Sequence, residues 1–251
     1  MPNIVVLQET ASTNDYIKRN AQILPTGTVI IAVRQTAGRG QKGNSWEAEP
    51  GKNVTLSLLV KRPNVEVKEQ FAISEAVSLA IVDELENYAS GFKIKWPNDI
   101  YYGNRKIGGI LIEHTLDAKG IEYTIAGVGV NINQQVFVSG APNPVSLFQI
   151  TGKTYDLDVI NSRFSEILER YCSFNGTSEQ LVNLHNRYLA RLYRYDGEPH
   201  TFVTPGGTHF RATIEAVAPD GTLTLRHASD NTCHDYYFKE VGFVIDQVRF
   251  L

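Results

Sequence analysis

The run Ile121–Asn133, IEYTIAGVGVNIN, constrains the fold of this chain more than any other stretch. Its β-branched, alternating residues read as a strand. With a period of two, Val128, Val130 and Ile132 fall on one face, and Gly127, Gly129, Asn131 and Asn133 on the other. The first face belongs in a core. The second lacks side chains at two positions and carries amides at the next two. Such a surface suits a flat ligand with hydrogen-bonding groups at its end, or a second backbone crossing closely.

The stretch Lys95–Glu113, KWPNDIYYGNRKIGGILIE, adds a second bare surface. Phe92–Trp96 reads as a strand stopped by Pro97, which lacks an N–H for a ladder. Asn98 and Asp99 supply turn chemistry, Gly103-Asn104 a second turn, and the whole reads as a β-hairpin. Lys106 begins the returning run, and Gly108-Gly109 lies just inside it. Paired glycines in a strand suggest a bulge or a close approach to the backbone. A cation beside cleared backbone suits an anionic ligand; a surface lysine beside a structural bulge reads the same way.

Other elements follow from their patterns. Asn3–Leu7 is a strand, followed by a helix to about Asn20, and Ser12 with Asp15 has the form of a capping box. Ser12 is thus an N-cap that can also present its hydroxyl to a ligand. Thr28–Arg34 reads as a buried strand running into the long polar loop Gln35–Trp46. Its glycines, with Arg39 and Lys42, suit a phosphate, and Trp46 is a large aromatic for a solvent loop. Asn53–Val60 is a strand, Val67–Tyr88 a helix stopped by Ser90-Gly91, and Val136–Thr154 loop-rich with Pro142 and Pro144. Helices are expected at Leu157–Phe174 and Glu179–Tyr188. Beyond Tyr195, short β-type runs broken by turn residues suggest a small barrel. The expected division is residues 1–193 and 194–251.

The 251 residues, 42% apolar, suffice for one large or two smaller domains, and the net charge of −3 does not mark a dedicated nucleic-acid binder. Cys172, Cys233 and six scattered histidines give no zinc or disulfide pattern. With no segment fit to span a bilayer, a soluble cytoplasmic protein is expected. No Ser–His–Asp set, Cys–His set or carboxylate pair stands out. This favours chemistry by positioning and charge stabilisation, such as activation of a carboxylate by ATP.

Five motifs carry a resemblance. They are Ser12-Thr13-Asn14; the loop from Gln35 through Gly38-Arg39-Gly40 to Trp46; Lys95-Trp96-Pro97-Asn98-Asp99; Arg105-Lys106 with Gly108–Glu113; and Gly127–Asn133. In this order and spacing, over residues 12–133, the chain resembles biotin protein ligases, and its tail resembles their small C-terminal domain more loosely. The resemblance implies an α+β fold: a catalytic domain like that of class II aminoacyl-tRNA synthetases, a mixed sheet flanked by helices, then a small SH3-like β-barrel. It implies that biotin and Mg-ATP give biotinyl-5′-AMP and pyrophosphate. Biotin then passes to one lysine of a biotin carboxyl carrier domain of a biotin-dependent carboxylase.

Carried over by motif, Ser12, Thr13 and Gln35 would hold the ureido ring, and Gly109 and Leu111 would line the pocket. The backbone of Arg39 and Gly40 would close over biotin, with Asn14, Gly38 and Gly127 also at the biotin site. Lys106 would bridge the biotin carboxylate and the α-phosphate. Asn131 would face the adenylate and Trp46 would cover the adenine side, with Arg39, Gln41, Lys42, Asn44 and Asn98 on ATP. Lys106, Arg39 and Asp99 would be the catalytic set, Asp99 organising metal or the attacking amine. Mg²⁺ is expected with ATP, and no protein ligands to a metal are assigned.

Strict alternation puts Lys106 on the face of Gly108 and Ile110, opposite Gly109 and Leu111. The strand must therefore bulge near Gly108, or Lys106 must precede it. The chain also departs from the family. Some members have further arginines where Gln41 and Asn44 stand, which would shift phosphate contacts onto Arg39, Lys42, Arg105 and Lys106. The helix-turn-helix of repressor members is missing, so no specific DNA binding is expected, and the chain should be a monomer or weak homodimer. The competing readings are a lipoate or octanoate ligase or transferase of similar fold, needing a longer apolar tunnel, and a biotin-adenylate-binding regulator without turnover.

Overall fold

The computed structural model describes residues 2–138, 143–173 and 176–245, with the backbone alone for Lys42. Pro142, the helix end expected at Phe174 and the Lys42 side chain lie outside the described residues.

Strand β1 (Asn3–Thr10) leads through α1 (Thr13–Asn20) to β2 (Thr28–Gln35) and β3 (Val54–Lys61). Helix α2 (Phe71–Leu85) precedes a meander of β4 (Phe92–Lys95), β5 (Asp99–Tyr102), β6 (Arg105–Asp117) and β7 (Gly120–Val130). Helices α3 (Leu147–Thr151), α4 (Leu157–Cys172) and α5 (Ser178–Arg191) follow. The tail forms β8 (His200–Val203), β9 (His209–Val217), β10 (Leu223–His227), β11 (Cys233–Tyr236) and β12 (Gly242–Phe243). Two sheets result: a seven-stranded one ordered β1-β2-β3-β7-β6-β5-β4, and a five-stranded one ordered β11-β10-β9-β8-β12. The fold is thus α+β, with a mixed sheet and a separate antiparallel one. In the larger sheet β1 and β2 are parallel, joined by the α1 crossover, and the other pairs are antiparallel.

The main core lies on one face of the large sheet. Leu56, Leu58, Ile100, Ile110, Val128 and Val130 join α2 and α4 there. α2 is buried nearly all round, including Glu75 and Glu84, because α4 and α5 cover the side away from the sheet. On the opposite face, Ile17 of α1 meets Ile30, Leu59 and Ile125 at one end. Beyond that cluster the same face carries Gly109 of β6 and Gly127 and Gly129 of β7. Among the described residues no helix is long and apolar enough to cross a membrane.

Four expectations change. The helix expected over Val67–Tyr88 is a 3-10 turn at Val67–Glu69 followed by α2. It ends early because the Asn87 amide donates to the carbonyls of Asp83 and Glu84, competing for the last turn. The single hairpin is two in succession, since Asp99–Tyr102 pairs with both neighbours, and the Trp96–Pro97 bond is cis. The loop-rich region contains α3, capped reciprocally by Ser146 and Gln149. Finally, β7 ends at Val130. The amides of Asn131, Ile132 and Asn133 leave the ladder for Ile107 O, Asn53 Oδ1 and Lys52 O.

Candidate active site

The bare surfaces of β6 and β7 meet as one floor. Register aligns Thr55, Gly129, Gly109, Asp99 and Lys95 in a row across five strands, β3-β7-β6-β5-β4. The next row is Ile30, Ser57, Gly127 and Leu111. A cleft of about 290 Å³ stands over these rows. Lys106 joins it through a bulge. Ile100 pairs with Gly108 but Tyr101 pairs with Lys106, leaving Ile107 as the extra residue. That residue turns Lys106 onto the Gly109 face, where a Cβ on Gly109 would lie 3.4 Å from Lys106 Nζ. The bulge is at Ile107, one residue before the glycine pair.

One end of the cleft is a chain of polar groups. Ser12 caps α1, accepting from Asp15 N at 3.5 Å. Gln35 Oε1 accepts from Thr13 N at 2.8 Å. Ser57 Oγ lies 2.6 Å from Thr13 Oγ1 and donates to Asn14 Oδ1 at 2.5 Å. The Asn14 amide donates to Glu113 Oε2 at 2.7 Å and to Leu111 O at 3.3 Å. Arg39 continues the chain, bonded to Asp15 at 2.6 Å and Glu113 at 3.2 Å. Ser12, Thr13 and Asn14 are nearly fully buried.

The loop that should be polar and aperiodic is folded. Arg39 bridges Ser45, Gly40 N donates to Asn44 O, Trp46 N donates to Gly38 O, and Gln41–Gly43 forms a 3-10 turn. Gly38 holds the base: a Cβ there would meet Trp46 O at 2.7 Å. Trp46 lies flat on the floor, where a Cβ on Gly129 would come within 2.4 Å of its ring. Its buried Nε1 has no acceptor among the described residues.

The other end is cationic. Lys106 Nζ is 2.5 Å from Asp99 and stands 5.8 Å from the Trp46 ring centroid. Lys95 Nζ is 3.8 Å from Asp99 and 4.8 Å from the Phe243 ring centroid. Burial lowers the pKa of Lys95; the Asp99 charge opposes this, and the charges of Lys106 and Arg194 add to it. Asn98 is tied to β6 by a reciprocal pair, its amide on Ile110 O and its own carbonyl on Ile110 N. The tail that forms the five-stranded sheet closes this end with Phe238, Lys239, Val241, Gly242 and Phe243. Trp96 links the two parts, donating to Gly221 O at 2.8 Å.

Of the residues singled out from sequence, Ser12, Thr13, Asn14, Gln35, Arg39, Gly40, Gln41, Asn44, Trp46, Asn98, Asp99, Lys106, Gly109, Leu111 and Gly127 line this one cleft. Gly38 supports it from behind. Asn131 does not line it: once β7 leaves the ladder, its amide turns to Val145 O at 3.1 Å. Asn133 likewise turns away and brackets the backbone of Tyr155. Sequence reasoning missed Thr55, Ser57, Lys95 and the rim from Phe238 to Phe243. Lys95 stands inside a motif already noted, and Ser57 is a polar residue on an otherwise apolar strand; the rim carries no local signal.

Among the described residues no group of three His, Cys, Asp or Glu could hold a metal ion. Among the described residues lining the cleft the one carboxylate, Asp99, already faces two ammonium groups. This donor set does not fit a resident Mg²⁺.

Comparison with known proteins agrees with this geometry. The model of the biotin/lipoate A/B protein ligase family matches residues 6–131. The biotin–[acetyl-CoA-carboxylase] ligase of Mycobacterium tuberculosis is 32% identical over 227 residues, covering 88% of this chain and 82% of that protein. The bifunctional ligase/repressor BirA of Bacillus subtilis is 35% identical over 132 residues, 52% of this chain but only 39% of that protein. The biotin protein ligase of Aquifex aeolicus, solved with biotin and ATP, shares the fold at a TM-score of 0.71 and 23% identity, covering 98% of this chain and 100% of that one.

Proposed function

Since this chain belongs to the biotin/lipoate A/B protein ligase family, we propose that it activates biotin as biotinyl-5′-AMP and transfers the biotinyl group to a lysine of a biotin carboxyl carrier domain. The observation that carries this reading is the floor itself: two glycine-cleared strands in register, with Lys106 turned onto the bare face by the Ile107 bulge. A carboxylate oxygen of biotin attacks the α-phosphorus of ATP, that P–O bond forms, and the bond to pyrophosphate breaks. The acceptor amine then attacks the acyl carbon, loses a proton and expels AMP.

In this reading Ser12, Thr13, Asn14 and Gln35 hold the ureido ring, and Gly38, Arg39 and Gly40 close over it. Gly109, Leu111 and Gly127 line the pocket. Lys106 stands between carboxylate and α-phosphate, with Asp99 holding its ammonium and later orienting the amine. Gln41, Lys42, Asn44, Trp46 and Asn98 attend ATP, while Asn131, turned to Val145 O, does not face the adenylate. Mg²⁺ belongs to the substrate, arriving as Mg-ATP.

The polar chain at one end favours biotin over lipoate or octanoate, whose tails offer no partners to Thr13, Asn14 and Gln35. The finer fold reading, a class II synthetase-like catalytic domain to residue 193 and an SH3-like barrel beyond, belongs to the same proposal. So do the cytoplasmic setting, the monomeric or weakly dimeric state and the absence of sequence-specific DNA binding. The test is transfer: with biotin and ATP, a carrier domain should gain one biotinyl group, and its Lys→Arg version none. An unmodified carrier would contradict the reading.

The Gly38–Trp46 loop is expected to tighten on ligand. Ordering costs roughly 1–2 kcal/mol of backbone entropy per residue, and Gly43 at φ +89 lies in a conformation that favours glycine. Trypsin cleavage after Arg39 or Lys42 should slow when biotin and ATP are added. Equal cleavage with and without them would count against closure.

A further inference from the structure

Ser57 of β3 is fully buried and lies behind the cleft wall, yet its hydroxyl makes two short contacts with residues of that wall. Its Oγ is 2.5 Å from Asn14 Oδ1 and 2.6 Å from Thr13 Oγ1, and Thr13 Oγ1 is 3.2 Å from Gln35 Oε1. Three contacts between oxygens therefore share the protons of two hydroxyls, since the amide oxygens of Asn14 and Gln35 only accept. One contact must go without.

The surroundings decide which. The Asn14 amide nitrogen faces Leu111 O and the Glu113 carboxylate, both acceptors, so the amide oxygen is the atom turned to Ser57. A contact of 2.5 Å cannot stand between bare lone pairs, so the Ser57 proton lies in it. The 2.6 Å contact then takes the Thr13 proton, with Ser57 Oγ accepting. The contact left bare is the longest, Thr13 Oγ1 to Gln35 Oε1, and Gln35 Oε1 already accepts from Thr13 N at 2.8 Å. The Thr13 proton is thus drawn into β3. Thr13 lines the cleft, and its hydroxyl has only lone pairs to offer there. Gly127 makes the arrangement possible: it stands between Ser57 and Leu111 in the ladder, and a Cβ on it would overlap Asn14 Oδ1.

We propose that Ser57 is a positioning residue that sets specificity: by taking the Thr13 proton it makes that hydroxyl an obligate acceptor, so the cleft selects a ligand presenting an N–H there. This rests on the reading of the cleft as a biotin site, whose ureido ring carries two such groups. A ligand oxygen in the same place would face lone pairs, whereas a hydroxyl free to turn would tolerate either. Selection then comes from a side chain behind the one that meets the ligand.

The test is calorimetric titration of the whole protein with biotin and with its two cyclic-carbamate analogues, each having one ring N–H replaced by an ether oxygen. The wild-type protein should prefer biotin to one of the analogues by on the order of 100-fold, the cost of leaving a buried acceptor unpaired. Ser57→Ala frees the Thr13 proton. It should bind biotin roughly 10-fold more weakly and lose at least ~10-fold of that preference. Thr13→Val should lose the preference as well. Adding Ser57→Ala to Thr13→Val should change biotin affinity no further, because the two act through one hydroxyl. A preference that survives Ser57→Ala would overturn the proposal, as would losses that add in the double variant or a Ser57→Ala protein that no longer melts cooperatively. In each of these cases biotin binding by the wild-type protein still supports the biotin reading. A wild-type protein that binds neither biotin nor its analogues overturns both. If the preference responds as expected but biotin and ATP yield no pyrophosphate, the role of Ser57 stands and the activation reading falls.

Discussion

Lys106→Met is expected to form the acyl-adenylate at least ~100-fold more slowly while remaining folded. As the bond to phosphorus forms, negative charge grows on the α-phosphate oxygens beside the ammonium. Only an interaction that strengthens in the transition state accelerates the step. Asp99, 2.5 Å from Nζ, holds that ammonium in place before substrate arrives. Met retains the aliphatic stem. The Lys106 backbone stays bonded to Asn143 O and Val145 N, and the bulge residue Ile107 stays buried. The Lys106–Asp99 pair is partly exposed, so its loss should cost about 1 kcal/mol or less. Single-turnover pyrophosphate release beside a thermal melt reads both quantities. Wild-type adenylation, or a variant that simply unfolds, would show that the lysine is misassigned.

Gly129→Val should weaken biotin binding by roughly 5- to 150-fold, the equivalent of about 1–3 kcal/mol of overpacking. Gly129 lies under the Trp46 ring, and any Cβ there overlaps three ring atoms at 2.4 to 2.7 Å. The indole would have to leave the floor, and the Gly38–Trp46 loop with it. Gly109→Ala, its neighbour across the ladder, is the milder control, since its Cβ would sit 3.3 Å from Trp46 and 3.4 Å from Lys106. Valine suits a strand, so the loss should appear in titration with biotin far more than in the melt. Biotin affinity unchanged in Gly129→Val would mean that the floor is not the ligand's seat.

Much of this site is legible in the sequence because it is built from local patterns. Period-two alternation assigns Gly127 and Gly129 to one face and Val128 and Val130 to the core. The conflict between Lys106 and Gly109 calls for a bulge, and the structure has one at Ile107. Ser12 reads as a cap and is one. What escapes is non-local. No periodicity tells that Thr55 and Lys95 complete one row with the two glycines, since register across five strands depends on pairings distant in sequence. Arg39 reads as a phosphate cation, yet its nearest partners are Asp15 and Glu113. Asn131 leaves the bare face because a carbonyl of β6, Ile107 O, captures its backbone after the ladder ends. α3 was readable from Ser146 and Gln149, a capping box hidden among loop residues. The rim residues 238–243 reach the cleft through the packing of the five-stranded sheet against the large one, which no local pattern encodes.

The most direct test is pyrophosphate release by the wild-type protein in single turnovers with ATP and one acid at a time: biotin, lipoate or octanoate. The polar chain from Gln35 through Thr13, Ser57 and Asn14, with the cation of Lys106 at the floor, predicts rapid release with biotin and none above background with the other two. Release driven by lipoate or octanoate, or no release with biotin, would contradict it.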